Sequence, residues 1–236
     1  MAAAAAGKGS VKLLGLSASP YVNRVQIALN LKSIEYEYLQ ETFGTKSELL
    51  LKSNPVYKKM PVMIHDDKPI SESLIIVQYI DDQWSSSGPT ILPTDPYDRA
   101  IARFWAAYVD DKVFPSLIEC SMAAKDGKTA ILERMKGGFS LLEEAFVKSS
   151  KGNSVYFGGE NIGYLDIALG SLLGWVKAWE KMADFKLLEE SNTPNLVLWA
   201  QSFLSHEAVK GLIPETDEIV GFAIKLAAMA KSQPSN

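Results

Sequence analysis

The chain has 236 residues and a net charge of −4, enough length for one large packed domain or two small ones. The acidic balance argues against nonspecific nucleic-acid binding, which needs a basic stripe. A single cysteine, Cys120, can form no internal disulfide, which fits a reducing, cytoplasmic setting.

No apolar run reaches the roughly 18–20 residues of a membrane span, so no membrane partner is expected. Two histidines and one cysteine are too few and too dispersed for a metal site. The alanine run from Met1 to Ala6 lacks a basic region before it, and Gly7-Lys8-Gly9-Ser10 follows too soon for a signal-peptide core. It is expected to be a frayed tail.

Val11 to Gly15 reads as a short strand, Ser17 to Pro20 as a turn with Pro20 at the first helical position. Val22, Val25, Ala28, Leu29 and Leu31 then recur at helical spacing, predicting an amphipathic helix over 21–33. Tyr36 to Leu39 alternates like a second strand, and Leu49 to Leu51 lie in a short helix that Asn54-Pro55 stops. Next comes Lys59-Met60-Pro61-Val62-Met63-Ile64-His65, an apolar strand entered through proline. Proline has no N–H for a ladder and belongs at a strand's first residue or edge. The backbone N–H and C=O of Met60 are thereby left for something outside the protein. A polar turn at Asp66-Asp67 leads to a very short strand, and Glu72-Ser73 open an apolar helix to about Trp84. A helix start with spare N–H groups and a serine hydroxyl suits an anion. This segment offers an extended-peptide edge beside a carboxylate pocket, which is what a small peptide ligand needs.

The order so far is β-α-β-α-β-β-α, without a glycine-rich phosphate loop. Residues 85–94, rich in serine, glycine and proline, form the expected boundary between a domain over 11–84 and a helical one over 95–231. Asp95 caps and Pro96 begins a long helix with Ile101, Phe104, Trp105 and Tyr108 on its apolar face, and Pro115 should kink or end it. A second long helix is expected near 129–147 and a loop at 151–153. Gly163 to Asp166 open the most apolar helix, through Trp175 and Val176, with Asp166 placed to reach back to first-turn amides. Thr193-Pro194 starts another helix, 219–229 is the last, and 232–236 reads as disordered.

An α/β unit of this order joined by a proline-rich linker to an all-helical domain resembles the cytosolic glutathione transferases, whose first domain is thioredoxin-like. The resemblance covers almost the whole chain. It is densest in Ser19-Pro20, in the stretch from Lys46 to Pro55, in Lys58-Lys59-Met60-Pro61-Val62, in Glu72-Ser73-Leu74 and in Ala102-Arg103-Phe104-Trp105. As a set these look like the plant tau class. The resemblance implies that Ser19 is the catalytic serine. Lys46 and Lys59 flank the glycyl carboxylate of glutathione, and the Met60 backbone pairs with the cysteinyl moiety ahead of a cis-proline. Glu72 and Ser73 grip the γ-glutamyl end. The chemistry agrees: glutathione carries two carboxylates and an ammonium, so it needs cations at one end and an acid–hydroxyl pair at the other. Opposite strand ends of one small sheet can supply them.

A free thiol of pKa near 8.5 is a few per cent thiolate at pH 7. Lowering that pKa by about 2 units takes ~2.7 kcal/mol. A hydroxyl donating to the anion supplies ~1.5–3 kcal/mol, and a helix N-terminus ~0.3–1 kcal/mol more. No resident cofactor is then required, glutathione being the co-substrate. The resemblance also implies a homodimer and a pocket between the domains for hydrophobic electrophiles, with Leu16, Tyr21, Tyr108, Phe114 and Trp175 as candidates. The chain departs from the class pattern at Leu16, Ser17 and Met60, none of which removes a glutathione contact.

Each motif also has a plain reading. Ser19-Pro20 and Glu72-Ser73 alone are turn and helix-start chemistry, Lys58-Lys59 alone a solvated pair, and Tyr108 and Trp175 at helical spacing ordinary core. Phe104 and Trp105 are assigned to packing, His65 to the surface, His206 to a helix end and Cys120 to the core. Asp110-Asp111 is either an exposed face or an interdomain anchor. Three functions compete: conjugation to electrophiles, with peroxidase activity toward organic hydroperoxides; a thiol-disulfide relative; and a noncatalytic carrier of apolar plant metabolites or hormones. The second needs a cysteine where this chain has Ser19, because it passes through a mixed disulfide.

Overall fold

In the computed structural model the described residues are 9–122, 125–150 and 154–232. The expected tail at 1–6, the loop at 151–153 and residues 233–236 lie outside them. The chain divides into two compact units between Gly88 and Pro89.

The first unit runs β1 (Val11–Gly15), α1 (Pro20–Leu31), β2 (Glu37–Gln40), α2 (Glu48–Ser53), β3 (Val62–His65), β4 (Lys68–Ser71) and α3 (Ser73–Gln83). The sheet order is β2-β1-β3-β4. β1 pairs parallel with β2, β3 antiparallel with β1, and β4 antiparallel with β3. Asp66 and Asp67 close the β3–β4 hairpin with φ of 48° and 62°, the left-handed pair that a two-residue turn between twisted strands requires.

Helix α1 differs from expectation. It is buried all round from Val22 to Leu29, with Asn23, Arg24 and Gln26 inside, because α3 packs along it and Val22 lies against Gly15 of β1. Charges buried so deeply need partners. Lys32, which follows α1, meets Asp81 of α3 at 2.8 Å, and both are buried. Ser87 Oγ donates to the Lys32 carbonyl at 2.6 Å. Gly88 sits at φ +63°, where a Cβ would fall 2.1 Å from the Leu31 carbonyl oxygen, so only glycine closes the unit this way. His65, expected at the surface, is buried, and its Nδ1 lies 2.8 Å from the Tyr79 hydroxyl.

The second unit is helical: α4 (Pro96–Tyr108), a π-helical turn (Val109–Val113), α5 (Phe114–Met122), α6 (Lys125–Ser150), α7 (Tyr164–Gly170), α8 (Leu173–Ala183), α9 (Pro194–Ser205) and α10 (Thr216–Ser232). Asp95 caps α4 by accepting from the N–H groups of Tyr97 and Asp98. Pro115 neither kinks nor ends a plain helix. The chain widens into the π turn just ahead of it, which relieves the clash of a proline ring with the carbonyl four residues back; Asp110 and Asp111 lie in that turn. Phe104, assigned to packing, is 60% exposed, and Tyr97 and Ile101 are exposed with it. The apolar run after Gly163 breaks at Ser171-Leu172 into α7 and α8, and Ser232 belongs to α10 rather than to a disordered tail.

Asp166 holds the centre of this unit. Its carboxylate accepts from the N–H groups of Phe157, Gly158 and Gly163 at 2.8, 2.8 and 2.9 Å, and from Trp199 Nε1 at 2.7 Å. One buried side chain therefore fixes the start of α7, the preceding turn and α9. Glu143 of α6 does a similar service for α9, accepting from the N–H groups of Asn195 and Leu196. Burial pushes the Asp166 carboxyl up to about 6, against the pull of its four donors.

Asp166→Asn would turn an amide N–H toward Gly158 and Gly163, whose own N–H groups then lack an acceptor. A loss of about 3–5 kcal/mol in unfolding free energy at pH 7 is expected from chemical denaturation. The folded carboxyl binds its proton more tightly than the unfolded one, of ordinary value 3.8. Its contribution to stability is therefore full below that value and is lost as pH rises through about 6. The deficit of the variant should accordingly be larger at pH 5 than at pH 7.

Candidate active site

The strand directions place the sequence-predicted glutathione residues at one end of the sheet, not at opposite ends. Ser19 follows the C-terminal end of β1, and Lys46 lies beyond the C-terminal end of its parallel neighbour β2. β3 runs the other way, so its N-terminal end, with Lys59, Met60 and Pro61 ahead of it, lies beside the end of β1 through the pair Leu14↔Val62. β4 reverses again. Ser71 pairs with Val62, so Glu72 and Ser73 emerge at this same end.

Each residue there has unspent bonding capacity. Ser19 is the N-cap of α1 in extended conformation, and its hydroxyl makes no capping bond. Its N–H donates to the Leu16 carbonyl at 2.9 Å, while its own carbonyl accepts from Val22 and Asn23. The Met60–Pro61 bond is cis, and the Met60 backbone makes no hydrogen bond to another described residue. Lys46 and Lys59 are exposed, and neither forms an ion pair with a described residue. Glu72 is exposed and held at φ 72°, a left-handed conformation that costs a non-glycine residue of order 1–3 kcal/mol. Ser73 opens α3 and is buried.

Three supporting residues escaped the sequence reading. Arg24, fully buried in α1, donates from Nη1 to Ser73 Oγ at 3.3 Å, and its guanidinium lies 5.0 Å over the Tyr21 ring. The Ser73 hydroxyl proton is left for another acceptor. Asn54, read only as a helix stop, donates from Nδ2 to the Lys59 carbonyl at 2.9 Å and accepts from the Tyr57 N–H, bracing the approach to Met60. Glu41 is buried after β2 and accepts from both the N–H and the hydroxyl of Ser47. An arginine inside the apolar stripe Val22–Val25 was the available signal for the first; the other two leave no periodic trace.

The remaining candidates divide. Leu16 and Tyr21 are half-buried in the first unit beside Ser19. Tyr108 of the second unit lines a cavity of about 160 Å³ with Lys112, Arg134 and Phe139. Its hydroxyl fits against Gly138, where a Cβ would stand 2.8 Å away, and burial raises its pKa. Phe114 and Trp175 do not line that cavity. They meet edge to face at 6.4 Å, and Trp175 is packed into a core with Ala178, Ile219 and Ala223. The structure therefore brings Phe114 and Trp175 together, and neither lines the cavity that Tyr108 fronts. Among the described residues no helix is long and apolar enough to cross a membrane, and no cluster of three metal-ligating side chains occurs.

A sheet with three strand exits and one strand entry gathered at one end, a serine at a helix start and a cis-proline beside it, is the thioredoxin-like half of a glutathione transferase. Residues 9–82 match the family model for the glutathione S-transferase N-terminal domain. Glutathione S-transferase U17 of Arabidopsis thaliana is 57% identical over 217 residues, 92% of this chain and 95% of that one. A tau-class glutathione S-transferase structure from mango, Mangifera indica, is 56% identical with a TM-score of 0.89, covering 92% of this chain and 98% of that one. A rice glutathione S-transferase solved in complex with glutathione is 33% identical with a TM-score of 0.86, over 95% and 99% of the two chains. The chain belongs to the tau class of the glutathione S-transferases and is a glutathione transferase enzyme.

Proposed function

We propose that the protein conjugates the thiolate of glutathione to hydrophobic electrophiles, with Ser19 as the catalytic residue. The observation that carries this reading is the convergence of Ser19, Lys46, Lys59, Met60, Glu72 and Ser73 at one end of the sheet. β2 and β4 are three strand spacings apart, about 14 Å. A tripeptide of about 3.5 Å per residue, lengthened by its γ-linkage and bracketed by the reach of Lys46 and Glu72, spans that distance. In this reading Lys46 and Lys59 take the glycyl carboxylate, the free Met60 backbone pairs with the cysteinyl unit, and Glu72 and Ser73 take the γ-glutamyl ammonium and carboxylate. The cysteinyl sulfur then lies over the start of α1. The Ser19 hydroxyl donates to it, and the helix N-terminus adds its partial positive charge.

The step is a displacement or addition. The sulfur lone pair forms the C–S bond; in displacement a leaving group departs with its electrons, and in addition the π pair moves to the neighbouring atom, which takes a proton, so no group on the enzyme is covalently changed. The same thiolate can attack the O–O bond of an organic hydroperoxide, releasing an alcohol and passing through a glutathione sulfenic acid that a second glutathione reduces. For the electrophile we propose Leu16 and Tyr21 beside Ser19; within the helical unit the candidates are Tyr108 and Phe114, with Trp175 packing Phe114. Residues 11–84 are the glutathione-binding domain, 85–94 the linker and 95–231 the helical domain, acting in the cytoplasm.

A homodimer is part of the same proposal. Tyr97, Ile101 and Phe104 are spaced to share one face of α4 and are 73, 38 and 60% exposed. Val56 and Tyr57 are exposed in the first unit. Large apolar side chains grouped as they are on α4 mark an interaction surface, and a second copy of the chain is its proposed occupant.

Ser19→Ala should lower kcat for a model aryl halide at least a hundredfold while the affinity for glutathione changes by less than fivefold. Unchanged turnover would remove Ser19 from the mechanism. A carrier role instead predicts tight binding of an apolar dye that Ser19→Ala leaves untouched while wild-type turnover is negligible. Sedimentation should give twice the chain mass for the wild type and a monomer for Phe104→Glu; a wild-type monomer at micromolar concentration would refute the dimer.

A further inference from the structure

Glu41 carries a buried carboxylate for which the conjugation step has no use. Its own N–H donates to the Gly15 carbonyl at 2.8 Å, continuing the β1–β2 ladder by one residue past Gln40. Its carbonyl accepts from Gln40 Nε2 at 3.2 Å. The residue is thereby fixed to the sheet at the end where the glutathione residues gather. From there Oε2 accepts from the Ser47 N–H at 3.2 Å, and Oε1 from the Ser47 hydroxyl at 2.6 Å. Ser47 Oγ in turn accepts from the Leu50 N–H at 3.0 Å as the N-cap of α2.

These bonds span a loop whose last residue is Lys46. The N–H that Glu41 holds belongs to the Lys46–Ser47 peptide itself, so the clamp acts on the backbone of the lysine. Within the loop, Gly44 takes φ 84° and the Thr45 N–H bonds the Thr42 carbonyl at 3.2 Å. That turn shapes the loop without tying it to the sheet. The clamp does so at both of its ends, through the strand on one side and the helix cap on the other.

We propose that Glu41 is a positioning residue for glutathione binding: it pins the Lys46–Ser47 peptide to the end of β2 so that the Lys46 ammonium is already placed for the glycyl carboxylate. The inference rests on the assignment of Lys46 to that carboxylate. A contact to the glycyl end is the same before and during the reaction at sulfur, so its loss raises KM and leaves kcat alone. Without the clamp, glutathione must order the loop at its own expense on binding.

The test is steady-state kinetics with a fixed aryl halide and two co-substrates, glutathione and its glycyl ethyl ester, which offers Lys46 no carboxylate. Glu41→Gln keeps an acceptor for the Ser47 N–H but replaces the charged acceptor of the Ser47 hydroxyl by a neutral N–H, so that the charge-assisted bond from that hydroxyl is lost. It should raise KM for glutathione five- to twentyfold, hold kcat within twofold and leave KM for the ester within twofold of wild type. Ser47→Ala, which removes only the hydroxyl, should raise KM for glutathione two- to fivefold and serves if Glu41→Gln does not fold. KM for glutathione unchanged in the folded variants would overturn the proposal. So would an equal rise for glutathione and ester, which would make Glu41 a general prop of the unit. Lys46→Ala separates the two layers. If it raises KM for glutathione and Glu41→Gln does not, the Lys46 assignment stands and the Glu41 inference falls; if it has no effect, both fall.

Discussion

The antiparallel pairing of β3 with β1 governs the first unit. With Leu14 opposite Val62 and Val62 opposite Ser71, a helix start, a cis-proline and a second helix start arrive side by side. A register slip of one residue would invert every side chain of β3, sending Val62 and Ile64 out of the cluster they form with Leu14 and Leu50. Burial of that apolar set is thus what keeps Met60 next to Ser19. Core packing and the gathering of Ser19, Lys46, Lys59, Met60, Glu72 and Ser73 at one end of the sheet are one constraint in this unit.

Much of this was legible from residue type alone. Pro61 before three apolar residues, Pro20 after Ser19 and Asp95-Pro96 each announce a boundary through a backbone property, a missing N–H or a side-chain cap, that acts locally and survives whatever packs around it. Asp166 was legible for the same reason, although a sequence could show only its reach to Gly163 and not its bonds to Phe157, Gly158 and Trp199. The failures were of another kind. Whether strand ends lie together or apart depends on strand direction, and periodicity carries no sign of direction. Arg24, His65 and Lys32 were invisible as core residues because their burial depends on partners far along the chain, Ser73, Tyr79 and Asp81. Phe104 erred oppositely: an apolar residue at helical spacing reads as core, and the face it covers on α4 is open in the single chain.

In the helical unit, buried carboxylates carry much of the local order. Asp166, Glu143 and the Trp199–Phe203 neighbourhood hold helix ends and turns together. Tyr108 fronts a small cavity with two basic side chains near it, Arg134 already engaged by Glu119. Neither Asp166 nor Glu143, the buried carboxylates that keep the helices in place, lines that cavity. In the first unit the proposed contact residues flank the strands that form its core.

Everything chemical rests on the acidity of one sulfur. An alcohol and a helix start together can hold a thiolate at neutral pH without a base or a metal, because only about 2.7 kcal/mol has to be found for a shift of about two units. The direct measurement is an ultraviolet titration of the thiolate of glutathione bound to the wild-type enzyme, with Ser19→Ala as reference. The account predicts a midpoint about two units below the free value of about 8.5 in the wild type, returning most of the way in the variant. A bound thiol that titrates as it does in water would contradict it.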